Sequence, residues 1–258
     1  MIKAFANLYG AFLVTNLWAD MIMAHEMTQT KTLQNAAIAA NVEHVVLSTL
    51  EDMRLVINAA ANKDTWSVLE EGLGSYVPHF DGKGAAGQEF LASAAPTTLL
   101  YKCFYYNNFI IFGMGPKKHA KDQPASITFP TSDGGIPMCS VPDIGRRVVS
   151  ILKDPETINT ETGVVGSWHT GQEITTFLTR SLGRMLSSMR LILPSMPSLA
   201  FQEQQIWPTC FASGFPTSLF VMILILRRNL LVAMWTLLKD GYRPTRLHLN
   251  RYITQSTV

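Results

Sequence analysis

Short apolar runs, punctuated by polar residues, set out the first part of the chain. Tyr9 to Thr15 (YGAFLVT) is rich in strand formers and is closed by Asn16. From Gln29 to Ala40 the period changes, and Leu33, Ala36, Ala37 and Ala40 fall on one helical face before Asn41 stops the helix. Glu43 to Ser48 is a second buried strand, ending in Ser48 and Thr49. Strand, helix and strand within about 40 residues predict a βαβ unit and hence a parallel sheet. Polar residues at the carboxyl ends of such strands line the ligand crevice, which here points to Thr15, Asn16, Ser48 and Thr49.

Further along, the pattern predicts a helix over Lys83 to Ser93, a strand over Thr97 to Tyr101 and an aromatic, apolar stretch over Cys103 to Phe112. Pro116 to Ala125 reads as a charged surface loop and Ser126 to Pro130 as a short strand, with a turn over Thr131 to Gly135. Ile136 to Val141 is a strand weakened by Pro137. Pro142 opens a helix running to Lys153, with Asp143 near its positive end. Thr170 to Glu173 is a capping box before a helix over Ile174 to Arg184. From Ser187 to Val258 no clean period is found. Ser218 to Leu226 and Leu230 to Leu238 are apolar but split by Arg227, Arg228 and Asn229. Neither half reaches the roughly 20 apolar residues of a bilayer span, so a buried helix or an exposed sticky tail is the expectation there.

Composition narrows the classes. Of 258 residues, 47% are hydrophobic and 16% charged, which suits a globular core and argues against disorder. The net charge of +2 gives no electrostatic footprint for direct nucleic-acid binding. Cys103, Cys139 and Cys210 are widely spaced and odd in number, which points to a reduced cytosolic or nuclear setting rather than a disulfide framework. No zinc-type ligand spacing is present among cysteines and histidines, so no metal site is expected. The apolar N-terminus lacks a cleavage-type end and reads as a helix end plus a buried strand, not a signal peptide.

One motif invites a chemical reading. Gly82, Gly84 and Gly87 stand at the G-x-G-x-x-G spacing of a dinucleotide-binding turn. A working fingerprint follows a strand, whereas Ser75 to Asp81 holds a proline and a charge and no apolar run. The glycines are therefore read as a chance match, and Lys83 becomes the residue of interest.

Tyr9 to Trp18 (YGAFLVTNLW), Val42 to Leu50 (VEHVVLSTL), His79 to Gly84 (HFDGKG), Cys103 to Asn107 (CFYYN) and Ser140 to Lys153 resemble, in order and spacing, the NmrA-like family of NAD(P)-binding proteins, atypical relatives of the short-chain dehydrogenases. The resemblance covers about residues 1 to 186 and implies an α/β fold: an incomplete Rossmann-type parallel sheet with a small α+β region and an irregular C-terminal tail. The divisions expected are a truncated NAD(P)-binding part over residues 1–115, a smaller region over 116–186 and an aberrant tail over 187–258. It implies NADP(H) contacts from Thr15, Asn16, Leu17, Lys83, Phe104, Tyr105, Tyr106 and Asn107. The plain alternatives are a solvated helix-start lysine for Lys83 and core packing for the aromatics. The wider superfamily uses Tyr-x-x-x-Lys, with tyrosine as the acid. Here His79 holds the tyrosine position, so turnover is disfavoured.

Two departures follow from the same resemblance. Met1 aligns with an internal methionine, so roughly 65 to 70 family residues, including the first strand and the phosphate loop, are expected to be missing before it, exposing sheet edges. Near Leu199 to Phe211 the family carries a run resembling GFPGA-x-DLANMF. Codons for this peptide can be chosen so that a shifted frame spells GFPGAADLANMF. The tail from about Met185 is thus expected to be frame-shifted, as in a degenerated gene of pseudogene type. The function implied is a non-catalytic regulatory or redox-sensor-type protein of cytoplasm or nucleus, with NADP(H) binding weakened or lost. Its output would pass to a protein partner or a homodimer. The alternatives are an NADPH-dependent reductase using His79 and Lys83, and a membrane-associated protein anchored by Ser218 to Leu238.

Overall fold

A computed structural model describes residues 2–59, 68–69, 71–111, 114–118, 122, 124–129, 135–183, 185–190, 220–227 and 230–237. A short helix, α1 (Ile2–Phe5), buries Phe5 and leads into strand β1 (Gly10–Leu13), in which every residue is buried. Helix α2 (Met23–Ala39) and strand β2 (His44–Thr49) complete the expected βαβ unit. β1 and β2 pair in parallel from Gly10–His44 to Leu13–Leu47. α2 begins well before the expected Gln29. Its first turns bury Glu26 and Thr30, so the apolar period fades there although the helix does not. It stops as predicted at Asn41, whose φ of 52° is a left-handed conformation that asparagine tolerates.

Helix α3 (Met53–Asn58), helix α4 (Pro78–Leu91) and strand β3 (Thr97–Lys102) come next. α4 starts at Pro78 rather than Lys83. Proline suits a first helical position because it lacks the N–H that would go unpaired there. The Asp81 carboxylate then gathers the loop ahead of the helix, accepting from Ser75 Oγ at 2.7 Å and from the backbone N–H groups of Tyr76 and Val77, each at 2.9 Å. The rest of the chain forms β4 (Phe104–Tyr105), α5 (Asn108–Ile111), β5 (Ala125–Phe129), β6 (Ile136–Cys139), α6 (Val141–Leu152), β7 (Glu161–Val164), β8 (Ser167–His169), α7 (Gly171–Leu182) and β9 (Leu186–Arg190). Capping boxes open α6 (Ser140 with Asp143) and α7 (Thr170 with Glu173). The turn expected at 131–134 lies outside the described residues.

Within the tail, β10 (Phe220–Arg227) and β11 (Leu230–Leu237) pair antiparallel to each other. The main sheet has the order β11-β10-β1-β2-β3-β7. Its β1, β2, β3 and β7 run parallel, as the βαβ reading requires. On one face α2 and α4 cover a core of Leu13, Leu33, Val45, Phe90 and Leu99, and on the other α6 covers Phe12, Val46, Leu100, Val148 and Ile151. A second sheet, β4-β6-β8, and the parallel pair β5–β9 share a smaller core around Ile127, Met138 and Ile174.

Two expectations about the tail change. The apolar runs form strands, not a helix: each is short, apolar and partly β-branched, and the two pair with each other at the edge of the main sheet. The edge of β1 is also not open: β10 pairs with it antiparallel, from Gly10–Leu226 to Phe12–Leu224. A strand edge is a template for any extended apolar segment, and β10 takes that place. Among the described residues no helix is long and apolar enough to cross a membrane.

Candidate functional site

Open parallel sheets hold ligands beyond the carboxyl ends of their strands. Here Thr15 follows β1, Thr49 closes β2 and Lys102 closes β3. Lys83 reaches this edge from α4. Its ammonium donates to the Thr15 carbonyl at 2.9 Å, to Thr15 Oγ1 at 3.1 Å and to Glu26 Oε1. Thr15 Oγ1 in turn donates to Glu26 Oε1 at 2.8 Å. Thr49 Oγ1 donates to the Lys83 carbonyl at 2.8 Å and so fixes α4 against the strand ends. Lys83 is only 9% exposed and Glu26 1%, so this is a buried ion pair and not the solvated helix-start lysine held open above. An ammonium has three protons, and these contacts use all of them.

The sequence reading missed Glu26. Its signal was its place on the buried face of α2 with Met23, Thr30 and Leu33. A carboxylate on a core face requires a cation or hydrogen-bond donors.

The neighbouring candidates also have internal partners. Asn16 Oδ1 accepts from Trp18 N at 3.1 Å and caps a single 3-10 turn, in which Leu17 is buried. His79 precedes Lys83 by one helical turn on α4. Its ring lies 5.2 Å from Trp18 and 4.7 Å from Phe80, centroid to centroid.

The three glycines lie inside α4 and not at a strand-to-helix turn. Each marks a close approach. A Cβ on Gly84 would sit 2.5 Å from Asp52 N, one on Gly87 2.9 Å from Thr49 Oγ1, and one on Gly82 2.9 Å from Met23 Cγ. They let the helix press against α2 and the end of β2.

Phe104 to Asn107 lie on the other side of Lys102, in and after β4, and no described hydrogen bond joins them to Lys83. Phe104 and Tyr106 pack on the third core cluster. Tyr105 packs on the second, and burial raises its phenol pKa far above the ordinary value. Asn107 Oδ1 accepts from Val141 N at 3.4 Å, at the start of α6. Lys102 is a further residue that the sequence did not single out. Burial, and then the charge of Lys83, lower its ammonium to about 7. Cys139 is buried and Cys103 partly so, as expected of small hydrophobes. Cys103 Sγ donates to the Val164 carbonyl at 3.1 Å, and burial pushes its thiol up to about 12, far from a reactive thiolate.

The sequence pattern of the NmrA-like family matches residues 1–197. The chain belongs to the NmrA-like family. Its fold is similar to that of NmrA, a negative transcriptional regulator, at 18% identity and a TM-score of 0.60, over 82% of this chain and 64% of that one. The same regulator in complex with NADP matches at 20% identity and a TM-score of 0.60, over 83% and 63%. The NADP(H) complex of Citrobacter sp. triphenylmethane reductase matches at 15% identity and a TM-score of 0.56, over 83% and 64%. At such identities the likeness is one of fold. The chain spans less than two thirds of the length of each of these structures.

The family's fold implies a nicotinamide dinucleotide. Two features of the described residues of this NmrA-like chain bear on such a ligand. No glycine among them stands at the turn between a parallel strand and a following helix, where backbone N–H groups would cradle a pyrophosphate. The lysine expected to meet the cofactor has its three protons engaged, and the Glu26 Oε2 beside it is buried without a partner among the described residues.

Proposed function

We propose that this chain is a non-catalytic NmrA-like regulatory protein of redox-sensor type, with NADP(H) binding weakened or lost. Its output passes to a protein partner or to a second copy of itself, in the cytoplasm or nucleus. The observation that carries this reading is the closed hydrogen-bond knot of Lys83, Thr15 and Glu26. A lysine that assists hydride chemistry must face the substrate side and support an acid. This one faces inward, and the position one turn before it is His79, packed between aromatic rings. The same two facts count against the reductase alternative. That the reductase of Citrobacter sp. shares the fold adds nothing for it, since one fold hosts many chemistries.

The test is cofactor oxidation. The intact chain is mixed with NADPH and a panel of aldehydes, ketones, quinones and triphenylmethane dyes, and loss of nicotinamide absorbance is followed. The reading expects a rate equal to the protein-free control for every acceptor. Turnover that disappears in both His79→Ala and Lys83→Met would establish the reductase instead.

A further inference from the structure

Outside the Lys83 knot, β8 presents a hydroxyl and an imidazole together. Ser167 and His169 are alternate residues of a strand and so share a face, while Trp168 between them points the other way and is 64% exposed. Ser167 Oγ lies 2.7 Å from His169 Nε2. The Tyr106 hydroxyl, from the turn after β4, bonds Ser167 Oγ and lies 3.2 Å from the same Nε2. All three residues are half-buried, within reach of a ligand.

The proton count has a simple solution: Tyr106 donates to Ser167, and Ser167 donates to a neutral His169 that accepts at Nε2. Glu173 stands in the first turn of α7, four residues beyond His169. Its carboxyl is held below its ordinary pKa by the Thr170 backbone N–H and hydroxyl, and to a smaller degree by His169. The Phe177 ring lies 5.3 Å from the His169 ring, edge-on, and is 52% exposed, which supplies an apolar wall beside the base.

We propose that Ser167 and His169 form an acyl-transfer site for small esters or thioesters with a short apolar acyl group. A nucleophile and base in hydrogen-bond contact, with an anion near the base, are recognised by geometry and not by chain order. Ser167 Oγ attacks the acyl carbon and its proton moves to His169 Nε2. The bond from the acyl carbon to the leaving oxygen or sulfur breaks, and that group departs with the proton returned by His169. Water, deprotonated by the same nitrogen, then attacks the acyl-serine, releasing the acid and restoring the hydroxyl. The Tyr106 O–H, which donates to Ser167 Oγ at rest, is released when that oxygen bonds to the acyl carbon and is then the nearest side-chain donor for the oxyanion. No nicotinamide is involved: an active Ser167 would replace the word non-catalytic in the proposed function and leave the reading of the Lys83 knot untouched, and an inert Ser167 would leave both parts of that reading as they stand.

An alkyl fluorophosphonate tests it on the intact chain. Ser167 Oγ would bond to phosphorus, fluoride would leave and His169 would take the proton. Peptide mass mapping should find the adduct on Ser167, absent in Ser167→Ala and formed roughly 100-fold more slowly in His169→Asn, the usual order for a general base. Hydrolysis of p-nitrophenyl acetate should show a burst that the same variants lose. No adduct on Ser167 in the wild-type chain, or a labelling rate indifferent to His169→Asn, would overturn the proposal.

Discussion

Lys83 and Glu26 pair in a place that water barely reaches, at 9% and 1% exposure, with Thr15 bonded to both. Removing one partner strands the other as a buried charge, which costs about 3–5 kcal/mol. Lys83→Met and Glu26→Leu should each lower stability by that order in urea unfolding of the intact chain. The double variant, which removes both charges, should be more stable than either single one. Additive losses would mean that the pair is not coupled.

The glycines make a second, opposite pair of predictions. At Gly84 a new Cβ would meet Asp52 backbone atoms at 2.5 and 2.7 Å, and backbone cannot swing aside. Gly84→Ala should cost about 1–3 kcal/mol, as overpacking does. Gly145 lies in α6 with nothing within 4 Å of its Cβ position. Gly145→Ala should gain up to about 1 kcal/mol from helix propensity. Thermal unfolding midpoints would separate the two, and equal tolerance at both positions would remove the packing explanation for Gly84.

Acid should weaken the fold through His44. The ring is fully buried, and its Nε2 lies 2.8 Å from Thr98 Oγ1, whose own proton goes to the Thr157 carbonyl at 2.6 Å. Nε2 is therefore the N–H donor, and Nδ1 has no partner among the described residues. Burial pushes the pKa down to about 4, partly offset by Asp154. Above the ordinary histidine value of about 6.5 the ring is neutral folded or unfolded, and the contribution is complete. As pH falls from there toward about 4, only the unfolded chain takes up the proton, so stability declines, and it levels off below. Unfolding free energy measured against pH should show this slope in the wild type and a flatter one in His44→Gln, which keeps a donor for Thr98.

Where hydrophobic period and local caps decide structure, the sequence was readable. The parallel β1–β2 unit, the stop at Asn41 and the Thr170 capping box are all local signals. Glu26 escaped because its meaning depends on a lysine 57 positions away. The Gly-x-Gly-x-x-Gly spacing misled only until context was applied, since the same small side chain serves a phosphate turn or a tight helix contact. The three-residue β8 carries too short a pattern to be seen, and with it went the meeting of Ser167, His169 and Tyr106. The strands β10 and β11 were unreadable for another reason: an apolar run of eight fits strand or buried helix equally well, and only the open edge of β1 decides between them.

The central claim is that the Lys83–Glu26–Thr15 knot withdraws the lysine that a dinucleotide would need. Titration of the intact chain with NADPH, followed by the fluorescence of the reduced nicotinamide, tests it most directly. The predicted result is no saturable enhancement up to millimolar cofactor. Saturation at micromolar NADPH, one cofactor per chain and abolished by Lys83→Met in a variant shown to remain folded, would contradict it.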